Sequence, residues 1–241
     1  RTAEAIAVYA NIARVYKSSR DEAALAQVKV ATLNVSTKNR FGNPRDLVKL
    51  QQWLSGKNSP DAPKARRELS EALFKTLEGP FKNFVTGKIS NNNIDQLQAS
   101  IKQKQAALLQ LAQQYEKIIA IGYPDHVVAS TYRMGQGHEA FSLSLLNTRA
   151  PKDFNAQEKI TLAAQLKEAS DPLKDEAVKF YKTAFERAND AGVFTVWATR
   201  AYDRMSKLNP KNSPAIAEFS VDPGYASHSI SYDDSVATVL H

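Results

Sequence analysis

Apolar side chains recur every three or four positions from Ile6 to Leu208, broken by short segments rich in Gly, Pro, Asn and Asp. That spacing gathers each apolar set on one face of an α-helix. An amphipathic helix is stable only when that face is covered by another element. With 9 Gly and 10 Pro, the chain suits helices better than a turn-rich sandwich. The expected fold class is all-α.

The stripes can be followed along the chain. Ile6, Tyr9, Ala13 and Tyr16 mark a helix over 2–18, and Asp21 is read as the cap of a second, running to about Ser36. Pro44 suits the first turn of a third, carrying Leu47, Leu50, Trp53 and Leu54. A fourth is expected over 62–77, ended by Gly79-Pro80, with a short helical piece at Phe81, Phe84 and Val85. A long helix is expected from Ile94 to Ile121, stopped by Gly122 with Pro124 close behind. Asp125 is read as the cap of the next helix, to Leu146, and Asn155 as the cap of one carrying Ile160, Leu162 and Leu166. Ser170-Asp171-Pro172 reads as a fresh helix start leading to Asn189, and a last helix spans about 193–208. Residues 211–241 carry no helical stripe and are read as an extended or strap-like tail.

Ala177, Tyr181 and Ala184 place small, aromatic and small residues at steps of four and three. Small residues let two helices approach, and the ring wedges between pairs. Upstream, Leu111, Tyr115 and Ile118 share that spacing, and Met134-Gly135 offers an apolar–Gly step for close packing. The tetratricopeptide (TPR) class stacks helical pairs of this kind with a period of about 34 residues. From about Leu108 to Pro214 the chain resembles the cell-envelope TPR proteins of gliding and predatory bacteria. The matching residues include Ala129, Tyr132, Arg133, Gly135, Gln136, Glu158, Pro172, Leu173, Ala177, Tyr181, Gly192, Val193, Trp197, Ala201, Leu208, Asn209 and Pro210. Residues 1–100 fit helical pairs but not the TPR signature. The resemblance implies a TPR-like superhelix of helical hairpins over residues 1–210, irregular over 1–100. It also implies a periplasmic or outer-membrane-associated location.

Composition narrows the chemistry. With no cysteine there is no thiolate metal site, disulfide or cysteine nucleophile. No run of 18 apolar residues is present to span a membrane. The chain opens at Arg1, and a targeting segment is expected to have been removed. His138-Glu139 begins like a zinc-protease helix, but the residue four after His138 is Ser142. Gly135-x-Gly137 follows no strand, and the sequence holds neither a P-loop nor a G-x-S-x-G elbow. The expectation is a non-catalytic chain with no metal and no cofactor.

A net charge of +7 raises a nucleic-acid reading. However, Glu68 and Glu71 follow the densest basic cluster, Lys64, Arg66 and Arg67, as on a solvated helix face. No base-reading code repeats along the helices, so no nucleic-acid partner is expected. The expected function is a protein–protein interaction scaffold of the bacterial cell envelope, taking a protein or peptide partner on a concave surface. Tyr132, Gln136 and Glu139 of one helix and Arg200, Asp203 and Arg204 of the last are expected to face it, the two arginines clamping a carboxylate. Tyr181 and Trp197 are expected to pack. The alternative is the non-catalytic helical arm of a peptidoglycan-processing enzyme.

Overall fold

The computed structural model describes residues 2–15, 20–36, 44–57, 59 and 61–210. Among them are eight helices and no strand. They are α1 (Thr2–Val15), α2 (Arg20–Ser36), α3 (Pro44–Ser55), α4 (Pro63–Thr86), α5 (Ile94–Ile121), α6 (Pro124–Leu146), α7 (Ala156–Asp190) and α8 (Val196–Leu208). The all-α expectation holds for these residues. Tyr16 and the tail over 211–241 lie outside the described residues.

The apolar stripes sort into two cores. Ala24 and Val28 of α2, Leu47 and Leu54 of α3, and Ala65 and Leu69 of α4 pack with Ile121 at the end of α5. A larger core gathers Phe74, Phe81 and Phe84 of α4, Tyr115 and Ile118 of α5, Tyr132 and Phe141 of α6, Tyr181 of α7 and Trp197 of α8. Leu73 of α4 touches both. α1 buries no residue and leans on α2. α6 runs through the middle, against α4, α5, α7 and α8. Its sequence permits this: charges appear in 23 residues only at Asp125, Arg133 and Glu139, and Ala129, Ser130, Gly135, Gly137, Ala140 and Ser142 keep it narrow. A helix without a wide polar face is stable only inside a core.

α5 spans the residues its sequence indicates. Asn93 accepts the Gln96 amide at 2.8 Å, and Gly122 closes the helix in the left-handed region at φ 80°. The Ile121 carbonyl at that end accepts a 2.9 Å hydrogen bond from Arg66. Asn155 and Glu158 form the reciprocal capping box that starts α7.

Four boundaries correct the sequence reading. α4 does not stop at Gly79-Pro80 but continues to Thr86. Gly79 and Pro80 both face solvent, while Phe81, Phe84 and Val85 beyond them are buried. That burial outweighs the hydrogen bond a proline removes. α7 likewise runs unbroken through Pro172, an exposed position, because Ala177, Tyr181, Ala184 and Ala188 beyond it are buried. Asp125 is not a cap: α6 starts at Pro124 after Tyr123, and Asp125 sits in its first turn. Asp21 also lies in a first turn, of α2. Its carboxylate still meets the positive end of the helix dipole.

Candidate functional site

The residues expected on a concave surface meet where α6, α7 and α8 pack together. Gly135 makes the approach possible. A Cβ there would lie 2.8 Å from the Tyr181 ring and 3.3 Å from the Ala177 carbonyl oxygen. Ala177, Tyr181 and Ala184 are fully buried along this contact, as their spacing predicts.

α7 ends at a tight turn. The Gly192 amide donates to the Asn189 carbonyl at 3.1 Å, and the Val193 amide reaches back to the Ala188 carbonyl at 2.9 Å. Gly192 has φ 63°, a left-handed conformation that suits glycine. Thr195 then caps α8, accepting the Ala198 amide at 3.2 Å. The turn lays α8 back over α6 and α7.

Trp197 is the anchor of α8. Its ring sits 5.5 Å from Tyr132 and 5.9 Å from Phe74. The Arg133 guanidinium lies over it at 5.1 Å and that of Arg200 at 5.3 Å, both cation–π contacts. Arg133 also covers Phe81, donates from Nη2 to both Glu78 oxygens at 3.1 and 2.8 Å, and from Nη1 to the Gln136 side-chain oxygen at 2.7 Å.

Two turns along α8, Arg204 reaches Glu139. Nε donates to Oε2 at 3.2 Å, and Nη2 pairs with Oε1. The same Oε2 accepts the Tyr181 hydroxyl at 2.6 Å. Glu139 is only 3% exposed, so its charge is compensated entirely inside the protein. Burial would lower the pKa of Arg204, but its hydrogen bond and attraction to Glu139 raise it overall. Burial and the adjacent Glu139 charge hold the Tyr181 phenol well above its ordinary value. Tyr132 is pushed up to about 12, chiefly by burial.

Five of the six expected surface residues are thus brought together, but not in an open groove. Tyr132, Gln136 and Glu139 are corrected to buried residues, and Arg204 takes an internal carboxylate. Arg200 is half-buried against Trp197, and Asp203 is exposed on the outer side of α8. Sequence reasoning missed Glu78 and the central part played by Arg133. The near absence of charge on α6 was the available signal: on such a helix, each remaining charge needs a buried partner.

Two further polar residues weighed from the sequence, His138 and Arg66, are likewise engaged. His138 lies 2.8 Å through Nδ1 from the Met134 carbonyl oxygen, with its ring 5.0 Å from Phe180. Arg66, from the basic cluster, bridges Ile121 and Ser59. A cleft of about 270 Å³ between the starts of α5 and α7 is lined by Ile94, Phe154, Gln157, Thr161 and Leu162. Glu158, also on its wall, is engaged in the capping box. Among the described residues, no three His, Asp or Glu side chains gather as a metal site, and no helix is long and apolar enough to cross a membrane. Comparison with protein families, characterised proteins and solved structures gives no match for this chain.

Proposed function

We propose that this chain is a non-catalytic helical scaffold of the bacterial cell envelope that binds a protein or peptide partner, with helical pairs stacked in the TPR manner. The observation that carries the reading is the internal pairing of the charged and amide side chains at the middle of α6. Arg133, Gln136 and Glu139, its buried groups of greatest chemical capacity, are held by Glu78, Tyr181 and Arg204. Groups fixed in this way maintain a shape. The close contact of Gly135 with Tyr181, flanked by Ala177 and Ala184, supports TPR-like stacking of α6 and α7. The compartment rests on the sequence resemblance.

Recognition then falls to outward-facing side chains. Of the residues first assigned to the partner surface, Asp203 is exposed and Arg200 partly so, while Arg204, its side chain 15% exposed, is taken up by Glu139. The charges of Arg200 and Asp203 stand three positions apart on α8, where a partner's opposite charges can meet both. The basic surface is reduced by the internal use of Arg66, Arg133 and Lys104, which counts against nucleic-acid binding.

The test is a pull-down from a bacterial envelope fraction with the full chain immobilised, beside an Arg200→Ala/Asp203→Ala variant. A specific protein retained by the wild type and lost with the double variant is the expected result. Retention of nothing beyond a control helical protein defeats the scaffold reading. Retention unchanged by the double variant removes the α8 face from it.

A further inference from the structure

The seat that α6 and α7 provide for α8 has the composition of a protein–protein interface. It is centred on a Trp and an Arg, residue types that dominate binding hot spots. Trp197 and Arg204 stand seven positions apart on one face of α8, with buried Ala201 between them and buried Met205 just beyond Arg204. The buried carboxylate of Glu139 makes the seat selective. Without a cation from α8, this carboxylate would keep only the Tyr181 hydroxyl. An empty seat is therefore costly, and an apolar helix is a poor substitute.

The connection to α8 is short and rests on one conformational preference. Residues 191–195 join the helices, and Gly192 at φ 63° makes the reversal. No atom lies within 4 Å of where a Gly192 Cβ would be, so backbone conformation alone favours glycine there. Beside this turn, Phe194 is 73% exposed and Val196 53%. They are large apolar groups at the one place where two copies exchanging α8 would bring their connections together.

We propose that α8 is exchanged between two copies of this chain. Each copy's Trp197 and Arg204 fill the other's seat and meet the other's Glu139, and Phe194 and Val196 of the two connections cover one another. A second copy fits by charge and shape, because the seat already fits this α8. Such exchange is a low-cost route to a symmetric pair. The inference goes beyond the scaffold reading, which concerns the outward face of α8 and not this seam.

The experiment uses the full chain in a Trp53→Phe background, so that Trp197 is the remaining tryptophan of the two. Deleting residues 191–193, which keeps Phe194, shortens the connection until α8 cannot fold back. The expected product is a dimer by light scattering, with Trp197 emission still that of a buried indole and the dimer lost on adding Arg204→Ala. A monomer, a dimer with solvent-exposed Trp197, or a dimer indifferent to Arg204→Ala overturns the proposal.

Should the shortened chain fail to fold, Gly192→Ala decides. It strains the closed turn, and mixed dimers of isotopically heavy and light chains should rise severalfold over wild type in native mass spectrometry. No rise overturns the proposal. A foreign helical peptide with Trp and Arg seven residues apart, bound by a chain that never pairs with itself, overturns the second-copy reading too. A specific envelope partner retained by a strictly monomeric chain leaves the scaffold reading standing and removes only this one.

Discussion

The Tyr181 ring lies directly over Gly135, 2.8 Å from where a Cβ on that glycine would be. The two residues come from different helices, and the contact fixes how closely α6 and α7 approach. A ring packed on all sides cannot retreat, since Tyr181 is fully buried and its hydroxyl is held by Glu139.

Gly135→Ala is therefore expected to destabilise by roughly 1–3 kcal/mol, because overpacking exceeds the gain in helix propensity. Gly79→Ala is the control. Gly79 also lies inside a helix, but no atom is within 4 Å of its Cβ position, so a stabilisation of about 0.5–1 kcal/mol is expected. Denaturant unfolding of both variants checks the contrast, and equal effects would remove the steric explanation.

Arg200 and Arg204 are expected to differ. Arg204→Ala leaves the Glu139 carboxylate buried without its cation, at a cost of about 3–5 kcal/mol. Arg200→Ala leaves no buried charge behind, and its partly exposed cation–π contact with Trp197 is worth about 0.5–1 kcal/mol, so the smaller loss is expected. Spacing alone had given the two arginines one shared role, clamping a partner's carboxylate. Comparable melting midpoints for the two variants would restore that view.

His126 provides a pH dependence. Burial against Phe74 and Tyr123 lowers its pKa to about 4 from an ordinary 6.5, with Glu71 opposing and Arg67 and Lys75 assisting. Between pH 4 and 6.5 the unfolded chain binds the proton and the folded chain does not. Stability from this residue is complete above 6.5 and is lost as pH falls to 4, by about 3 kcal/mol in all. The stability difference between wild type and His126→Phe should change across that window. A constant difference shows that His126 does not titrate this way.

Lys104 donates from Nζ to the Phe84 carbonyl at 2.8 Å and the Gly87 carbonyl at 2.5 Å, at the end of α4. Its ammonium satisfies carbonyls that have no intrahelical partner, and burial holds its pKa below the usual lysine range. Lys104→Met keeps the stem and removes the donor, so a loss of about 1–3 kcal/mol is expected on chemical unfolding. Lys102, exposed two positions earlier, should tolerate the same change.

The contrast between Pro124 and Pro172 shows where local signals carried and where they did not. Pro124 stands at a helix start because nothing before it demands a continuous helix, and the neighbouring Gly122 ends α5 in a left-handed turn. Pro172 follows Ser and Asp, a convincing start signal, yet it lies inside α7 because both halves of that helix are anchored to one core. Local chemistry states what a boundary prefers, and distant packing decides. The site shows the same division. The apolar seam at Ala177, Tyr181 and Ala184 was legible because packing demands a spacing. The pairing of Glu139 with Arg204 was hidden, because polar residues at helical spacing look alike until all sides of α6 are known to be covered.

α4 passes from one core into the other, with Leu69 in the first, Phe74 in the second and Leu73 touching both. A rod embedded at both ends cannot loosen at one without disturbing the other. The amide hydrogens of its middle turns should therefore exchange with solvent only when the whole molecule opens, whereas those of α1, which buries nothing, exchange through fraying. The slowest-exchanging protons thus mark the helix that makes two hydrophobic clusters respond as one body.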